Sequence, residues 1–407
     1  MRIRSFQGLR PVPEQAAKVA CVPYDVINSE EAAALAAGNP LSLLHVIRPE
    51  IDLPAGIDLH SAPVYAKAVE NFKLFQQNGT LRRETEPCVF LYRLRMGDHE
   101  QIGVTAVFHT DDYNRDLIKK HEKTSKDKED DRTRITHELR ANPEPVFLTY
   151  KDSPEIDALV AAGVKAAPLY DFTAPDGIQH TVWRIAGEAA TALVRAFAKV
   201  PCGYVADGHH RSASAARVGS ERRAANPAHT GAEDYNWFLA TIFPAGQLRV
   251  LPYNRLVFDL NGLTPAQFLT KVREIFTVTE NAGDRPAAPA GVNMYLAGKW
   301  YGLRWQPDPA ADPVAKLDVS VLQERLLAPV LGIDDPRTSK RVDFVGGIRG
   351  PGELVKRVDS GEAAVAFSMY PVTTRQLMDI ADAGQIMPPK STWFEPKLRS
   401  GLFVHTF

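Results

Sequence analysis

The run from Gly203 to Ala216, GYVADGHHRSASAA, constrains this chain more tightly than any other stretch. A short apolar strand, Tyr204 to Ala206, meets Asp207-Gly208, and an Ala-rich helix follows at once. Gly208 supplies the positive φ of a tight strand-to-helix turn at no steric cost. A helix start leaves backbone N–H groups unpaired and carries partial positive charge, so an anion is at home there. His209, His210 and Arg211 crowd further donors into that end, with the Ser212 hydroxyl beside them, and Ala213, Ala215 and Ala216 let the helix approach its sheet. The pattern reads as a phosphate cradle with an acid, Asp207, at its lip. The plainer reading is a solvated helix start, because strand–Asp-Gly–helix turns are common.

At 407 residues the chain exceeds one typical core, so two or three domains are expected. The expected boundaries are an N-terminal α/β segment with a basic loop at 1–150, a central unit with the Asp-Gly-His-His-Arg turn at 151–260, and a C-terminal α/β segment at 261–407. An apolar content of 44% and a formal net charge of −1 describe an ordinary soluble protein and give no global reason to expect nucleic acid. The start carries no apolar core of signal-peptide length, and no 18-residue apolar run occurs, so a cytoplasmic protein without membrane attachment is expected. The three cysteines, Cys21, Cys88 and Cys202, form no CxxC pair, which fits a reducing compartment.

In chain order, Cys21-Val22-Pro23-Tyr24-Asp25 places Tyr24 and Asp25 on a loop, because Pro23 is barred from a central strand. Plain turn residues are the other reading. Asn28 caps the helix that follows, His45 to Glu50 reads as a strand, and 62–78 as an amphipathic helix. Two strands, 88–95 and 101–108, form a hairpin. The polar stretch from Lys119 through Arg134 reads either as a solvated helix face with charge pairs or as a cationic wall for polyphosphate, with His121, Lys123 and Thr124 as donors. Arg140-Ala141-Asn142-Pro143-Glu144-Pro145 then runs into a strand at 146–150, the kind of loop on which scaffolds display chemistry. Strand, helix, strand, helix, strand from 180 to 243 suggests an α/β unit. The closing stretch MPPKSTWFEPKL contributes Lys390, Ser391 and Lys397.

The chain resembles the DUF1015 family from end to end: VPYDVI (22–27), KHEKT (120–124), RANPEPVFLTY (140–150), ADGHHR (206–211), LPYNR (251–255) and MPPKSTWFEPKLRSGL (387–402). Two positions depart from the pattern: Asn254 stands where histidine is expected, and Ser212 follows Arg211 in place of an aromatic residue. The ADGHHR turn is also similar to that of the ParB/sulfiredoxin-like superfamily, whose free serine kinases carry such a sequence. The resemblance implies a mixed α+β and α/β chain whose central unit is a ParB/sulfiredoxin-like phosphate-binding core flanked by further α/β segments.

It further implies a phosphotransferase acting on a small hydroxyl metabolite, first of all L-serine/O-phosphoserine, with ATP or ADP and Mg²⁺, and compatible with a homodimer. Phosphoryl transfer needs positioning and charge neutralisation more than covalent chemistry. Gly208, Arg211 and Ser212 would hold phosphate, with His121, Lys123, Thr124, Lys390, Ser391 and Lys397 as further contacts. Asp207, as Mg²⁺ ligand or proton acceptor, His209, His210 and Glu144 are the candidates for catalysis, and Tyr24, Asp25, Arg140 and Asn142 for the substrate. A metal-dependent phosphatase or hydrolase using Asp207, His209 and His210, or a non-catalytic nucleotide-binding protein, are the alternatives. A sulfiredoxin-like reductase would need a cysteine in the phosphate turn. A ParB-like DNA-binding protein would need a basic recognition helix, and neither is present.

Overall fold

The computed structural model describes residues 1–407. The chain divides into two compact units, Met1–Leu248 with Pro396–Phe407, and Arg249–Glu395. The first holds a nine-stranded mixed sheet. Its path runs Ile118–Lys119, Gly203–Asp207, Val146–Tyr150, Trp237–Pro244, His99–His109, Cys88–Met96, Gln179–Ala186 and Tyr170–Thr173, with Ile3–Arg4 paired to His99–His109. Two pairings are parallel, Gly203–Asp207 with Ile118–Lys119 and Trp237–Pro244 with Val146–Tyr150; the rest are antiparallel. Strands from both sides of residue 150 therefore share one sheet and one core, in which Val104, Phe108, Leu148, Val205, Phe238 and Ile242 are buried together.

The second unit is built on a six-stranded antiparallel sheet in the order Thr277–Glu280, Lys299–Arg304, Gly291–Leu296, Val365–Met369, Tyr253–Val257 and Val342–Gly346. Its helices begin on the signals their sequences carry. Thr264 with Gln267 and Thr373 with Gln376 both close capping boxes.

Several local expectations hold. The hairpin forms between Cys88–Met96 and His99–His109, and the helix expected at 62–78 spans Ala62–Gln77. Asn28 closes a capping box with Glu31 at the start of the helix Ser29–Ala36. Others give way. His45 to Glu50 is helix Leu44–Ile47 followed by a 3₁₀ turn, not a strand. Leu44, Val46 and Ile47 are all buried, and so short an apolar run carries no period to tell helix from strand. The successive strands 179–186, 203–207 and 237–244 are nowhere neighbours, because strands from the first 150 residues lie between them.

One buried titratable group sits well inside this sheet. His180 is fully buried, with Nδ1 2.8 Å from the Tyr92 hydroxyl, and burial, aided by the Arg399 charge, lowers its pKa to about 3. A histidine kept neutral in the fold and free to protonate when unfolded contributes stability above about pH 6.5 that is lost as pH falls toward 3. Equilibrium denaturation across that window should show His180→Asn with a pH slope shallower than the parent's by up to one proton, about 1.4 kcal/mol per pH unit. An unchanged slope would remove His180 from the acid response.

Candidate functional site

The edge of the large sheet brings three strand ends together. Gly203–Asp207 runs parallel to Ile118–Lys119, so His121 and Asp207 leave the sheet on the same side. Val146–Tyr150 runs the other way, with Phe147 opposite Asp207, so the approach to that strand, Glu144-Pro145, lies at the same end. The register slips between Val205 and Asp207. A bulge of this kind bends a strand and re-aims the side chain that follows it. Gly208 then turns the chain at φ 91°, and helix His209–Ala225 begins.

Asp207 is the electrostatic centre. Its Oδ2 accepts from Arg211 Nη2 at 3.1 Å and its Oδ1 from Lys397 Nζ at 3.3 Å. Burial alone would push this carboxyl up, but Lys397 and then Arg211 outweigh it and hold the pKa down to about 2. Arg211 is itself buried and donates Nη1 to the Pro145 carbonyl at 2.5 Å, while its Nε meets no protein partner. The two adjacent histidines diverge, as neighbouring positions on a helix must. His210 faces the rim, where its Nε2 accepts from the Ser125 backbone N–H at 3.1 Å. His209 points inward against His121, ring centroids 4.5 Å apart and planes at 87°. Both rings are buried, and none of their four nitrogens meets a partner at hydrogen-bond geometry. Burial lowers both pKa values, that of His121 to about 4, with Asp207 opposing the shift in each case.

Glu144 forms the second focus. Its Oε1 accepts from the Tyr24 N–H at 3.2 Å and the Ser400 hydroxyl at 3.0 Å, and its Oε2 stands 3.9 Å from Arg132. Burial raises its pKa against the pull of Arg211 and Arg132. Arg132 lies 3.9 Å over the Tyr24 ring and pairs with Asp131 at 2.6 Å. Arg132, Asn142, Glu144 and Arg211 line a cavity of about 20 Å³, room for a single water and no more.

A family model described as "Protein of unknown function (DUF1015)" matches residues 3–320. The chain belongs to the DUF1015 family. No curated protein matches it. Among solved structures, it is similar to a free serine kinase variant in complex with AMP (13% identity, TM-score 0.38, covering 73% of this chain and 92% of that one). It is also similar to a conserved hypothetical protein from Pyrococcus furiosus (13% identity, TM-score 0.36, 74% and 94%) and to SbnI with C-terminal truncation from Staphylococcus aureus (11% identity, TM-score 0.38, 74% and 87%).

In this DUF1015 chain the structure gathers Asp207, Gly208, His209, His210, Arg211, His121, Glu144, Tyr24 and Lys397 at one sheet end. Lys397 lies beyond the matched residues 3–320, yet its segment packs in the first unit. Ser212 is fully buried, and its hydroxyl donates to the Gly208 carbonyl at 3.0 Å, so it is spent on the helix's own first turn and offers a phosphate nothing. Asp25 and Lys123 are exposed, and Thr124 donates to Glu129 at 2.8 Å. Arg140 is the left-handed C-cap of helix Lys126–Leu139 and borders a different depression, with Arg83 and Phe407. Lys390 and Ser391 belong to the second unit, where Lys390 Nζ lies 5.5 Å from the Tyr253 ring and Ser391 donates to Pro388. Mg²⁺ at Asp207 fits poorly, because each carboxylate oxygen already holds a cation.

The polar stretch is in part the charged helix face expected, with Arg134 and Glu138 paired one turn apart, but its shorter ion pairs run to another helix. Its helix, Lys126–Leu139, packs along His209–Ala225 through Arg217–Asp130 at 2.6 Å and His137–Glu221 at 2.6 Å, pairs between helices more than along one. Sequence reasoning missed Arg132 and Ser400. Arg132 was hidden among solvated charges, and Ser400 within the closing block had no local signal for its bond to Glu144.

Two substitutions probe this frame. Gly208→Ala would place a Cβ 3.0 Å from the Arg211 guanidinium at a φ that disfavours side chains, and should cost on the order of 1–2 kcal/mol in denaturant unfolding. Asp207→Asn should cost about 2 kcal/mol at pH 7. Because the folded pKa is depressed, that contribution is complete above about pH 4 and vanishes as pH falls through about 2. A loss that persists undiminished at pH 2 would mean the aspartate acts through shape and not charge.

Proposed function

We propose that this protein moves a phosphoryl group between a nucleotide and a small hydroxyl metabolite, with L-serine/O-phosphoserine as the first candidate pair and ATP or ADP as the partner. The observation that carries the reading is the arrangement around Asp207. A helix start with its orphan N–H groups, two cations on one carboxylate and the His210 edge converge on a single sheet end. The resemblance of the ADGHHR turn to that of the free serine kinases supports it.

The roles follow from what each group has left to give. Two of the Arg211 nitrogens are committed to Pro145 and Asp207, so Arg211 backs the site as a fixed charge. Lys397 meets Asp207 at 3.3 Å and would bring its charge to a phosphate held at the helix start. Asp207, ionised far below neutral pH and doubly paired, positions these cations and is a weak base. Glu144 is the better proton acceptor, since burial raises its pKa while Asp207 is held low by its cations. The water-sized cavity beside it admits a proton-relaying water and excludes the metabolite itself. Tyr24 and Asp25 flank this second focus and would meet the amino acid.

The test uses purified protein with O-phosphoserine, with and without ADP, following serine, free phosphate and ATP. Serine formed only with nucleotide, with ATP appearing in equal amount, is the expected result; serine with free phosphate and no nucleotide requirement would replace transfer by hydrolysis. Lys397→Ala should lower kcat/KM for the nucleotide reaction by about 10²–10³, and Glu144→Gln should lower kcat by about 10²–10⁴ with little change in KM. Full transfer by both folded variants would overturn these roles.

A further inference from the structure

Two histidines buried at one sheet end, with no ring nitrogen in a well-formed hydrogen bond, demand an explanation. An imidazole out of water normally meets a donor or an acceptor, and leaving one unmet costs on the order of 1–3 kcal/mol. Here two such rings, His121 at 2% exposure and His209 at 5%, stand edge to face; no ring nitrogen makes a well-formed hydrogen bond, and the Val205 backbone is the one protein group that approaches His121 as a partner. Glu122, next in the chain to His121, brings a carboxylate to the same place. One donor atom from each of His121, Glu122 and His209 lies within 4.8 Å of the other two.

We infer that His121, Glu122 and His209 form a binding site for one divalent transition-metal ion of the zinc–manganese–iron–cobalt group. The donor set selects the class. Imidazole suits zinc, iron and cobalt, whereas Mg²⁺ takes oxygen ligands and keeps its waters. Two imidazoles and one carboxylate are the protein ligands of open metal sites, in which further positions are left to water or substrate. Bonds of about 2.0–2.2 Å to each ligand require donors about 3.4 Å apart. Closure from 4.8 Å falls to the exposed Glu122 side chain, while the buried histidines are already held.

The surroundings agree with one added cation. His121 follows the strand Ile118–Lys119, and His209 opens the helix after Asp207, so both ligands sit on fixed elements. Asp207 lies near both rings and favours positive charge there. Lys397 and Arg211 are its direct partners. The metal hydrolase weighed from sequence used Asp207, His209 and His210. The geometry replaces two of those three, since Asp207 holds two cations and His210 faces Ser125. The site stands whether or not the protein transfers phosphate.

The experiment uses untagged, full-length protein stripped with chelator and dialysed metal-free. Zn²⁺ titrated against a chromophoric chelator should bind at one equivalent with a Kd below about 1 μM, and Mg²⁺ at millimolar concentration should not compete. His121→Gln and His209→Gln should each weaken Zn²⁺ binding by at least 100-fold and Glu122→Gln by about 10-fold, with His210→Gln unchanged. Binding absent in the parent, or undiminished in folded His121→Gln and His209→Gln, overturns the site. Should those two variants fail to fold, X-ray absorption of the zinc-loaded parent decides. A nitrogen/oxygen shell with two imidazoles supports the assignment, and one imidazole or none refutes it.

Discussion

Arg211 is a guanidinium taken out of water, and the site is arranged around its charge. A buried cation is tolerated only when it is paired and hydrogen-bonded. The Pro145 carbonyl and the Asp207 carboxylate meet that requirement, and Glu144 and Asp25 add to it at longer range. Each partner comes from a different strand end or loop, so one charge ties together the approach to Val146–Tyr150, the end of Gly203–Asp207 and the turn that follows. Asp207 then draws in Lys397 from 190 positions further along the chain. Removing Arg211 would leave the half-buried Asp207 and the buried Glu144 without their shared counter-ion.

That arrangement separates the groups by what they can do. Asp207 lies between two cations and stays ionised, whereas Glu144, less well compensated, is driven toward its neutral form. Environments that push two carboxyl groups apart in pKa are how a site assigns an anchor and a proton carrier. The histidines divide in the same way. His210 is wet and partnered, while His209 is dry and faces His121.

The turn itself was legible in sequence because its chemistry is local: Asp207-Gly208 demands a positive φ, and an Ala-rich run after it demands a helix. The helix cap at Asn28 was readable for the same reason. What stayed hidden was long-range. The bond from Ser400 to Glu144 spans 256 positions and the one from Lys397 to Asp207 spans 190, and no periodicity or spacing encodes either. The interleaved strand order was equally out of reach, since a strand's neighbours are set by the sheet and not by the order of synthesis. Arg132 shows the converse. In sequence it is one cation among many, and only folding turns it onto the Tyr24 ring.

The return of Pro396–Phe407 to the first unit gives the protein a built-in order of assembly. A nascent chain has made every strand of the large sheet once Trp237–Pro244 has emerged, but Lys397 and Ser400 follow only after the whole second unit. Until the ribosome has released them, Asp207 and Glu144 lack one partner each. Translation that stops anywhere within the second unit leaves a sheet without its closing cation, so truncated products carry the cradle but not the completed site.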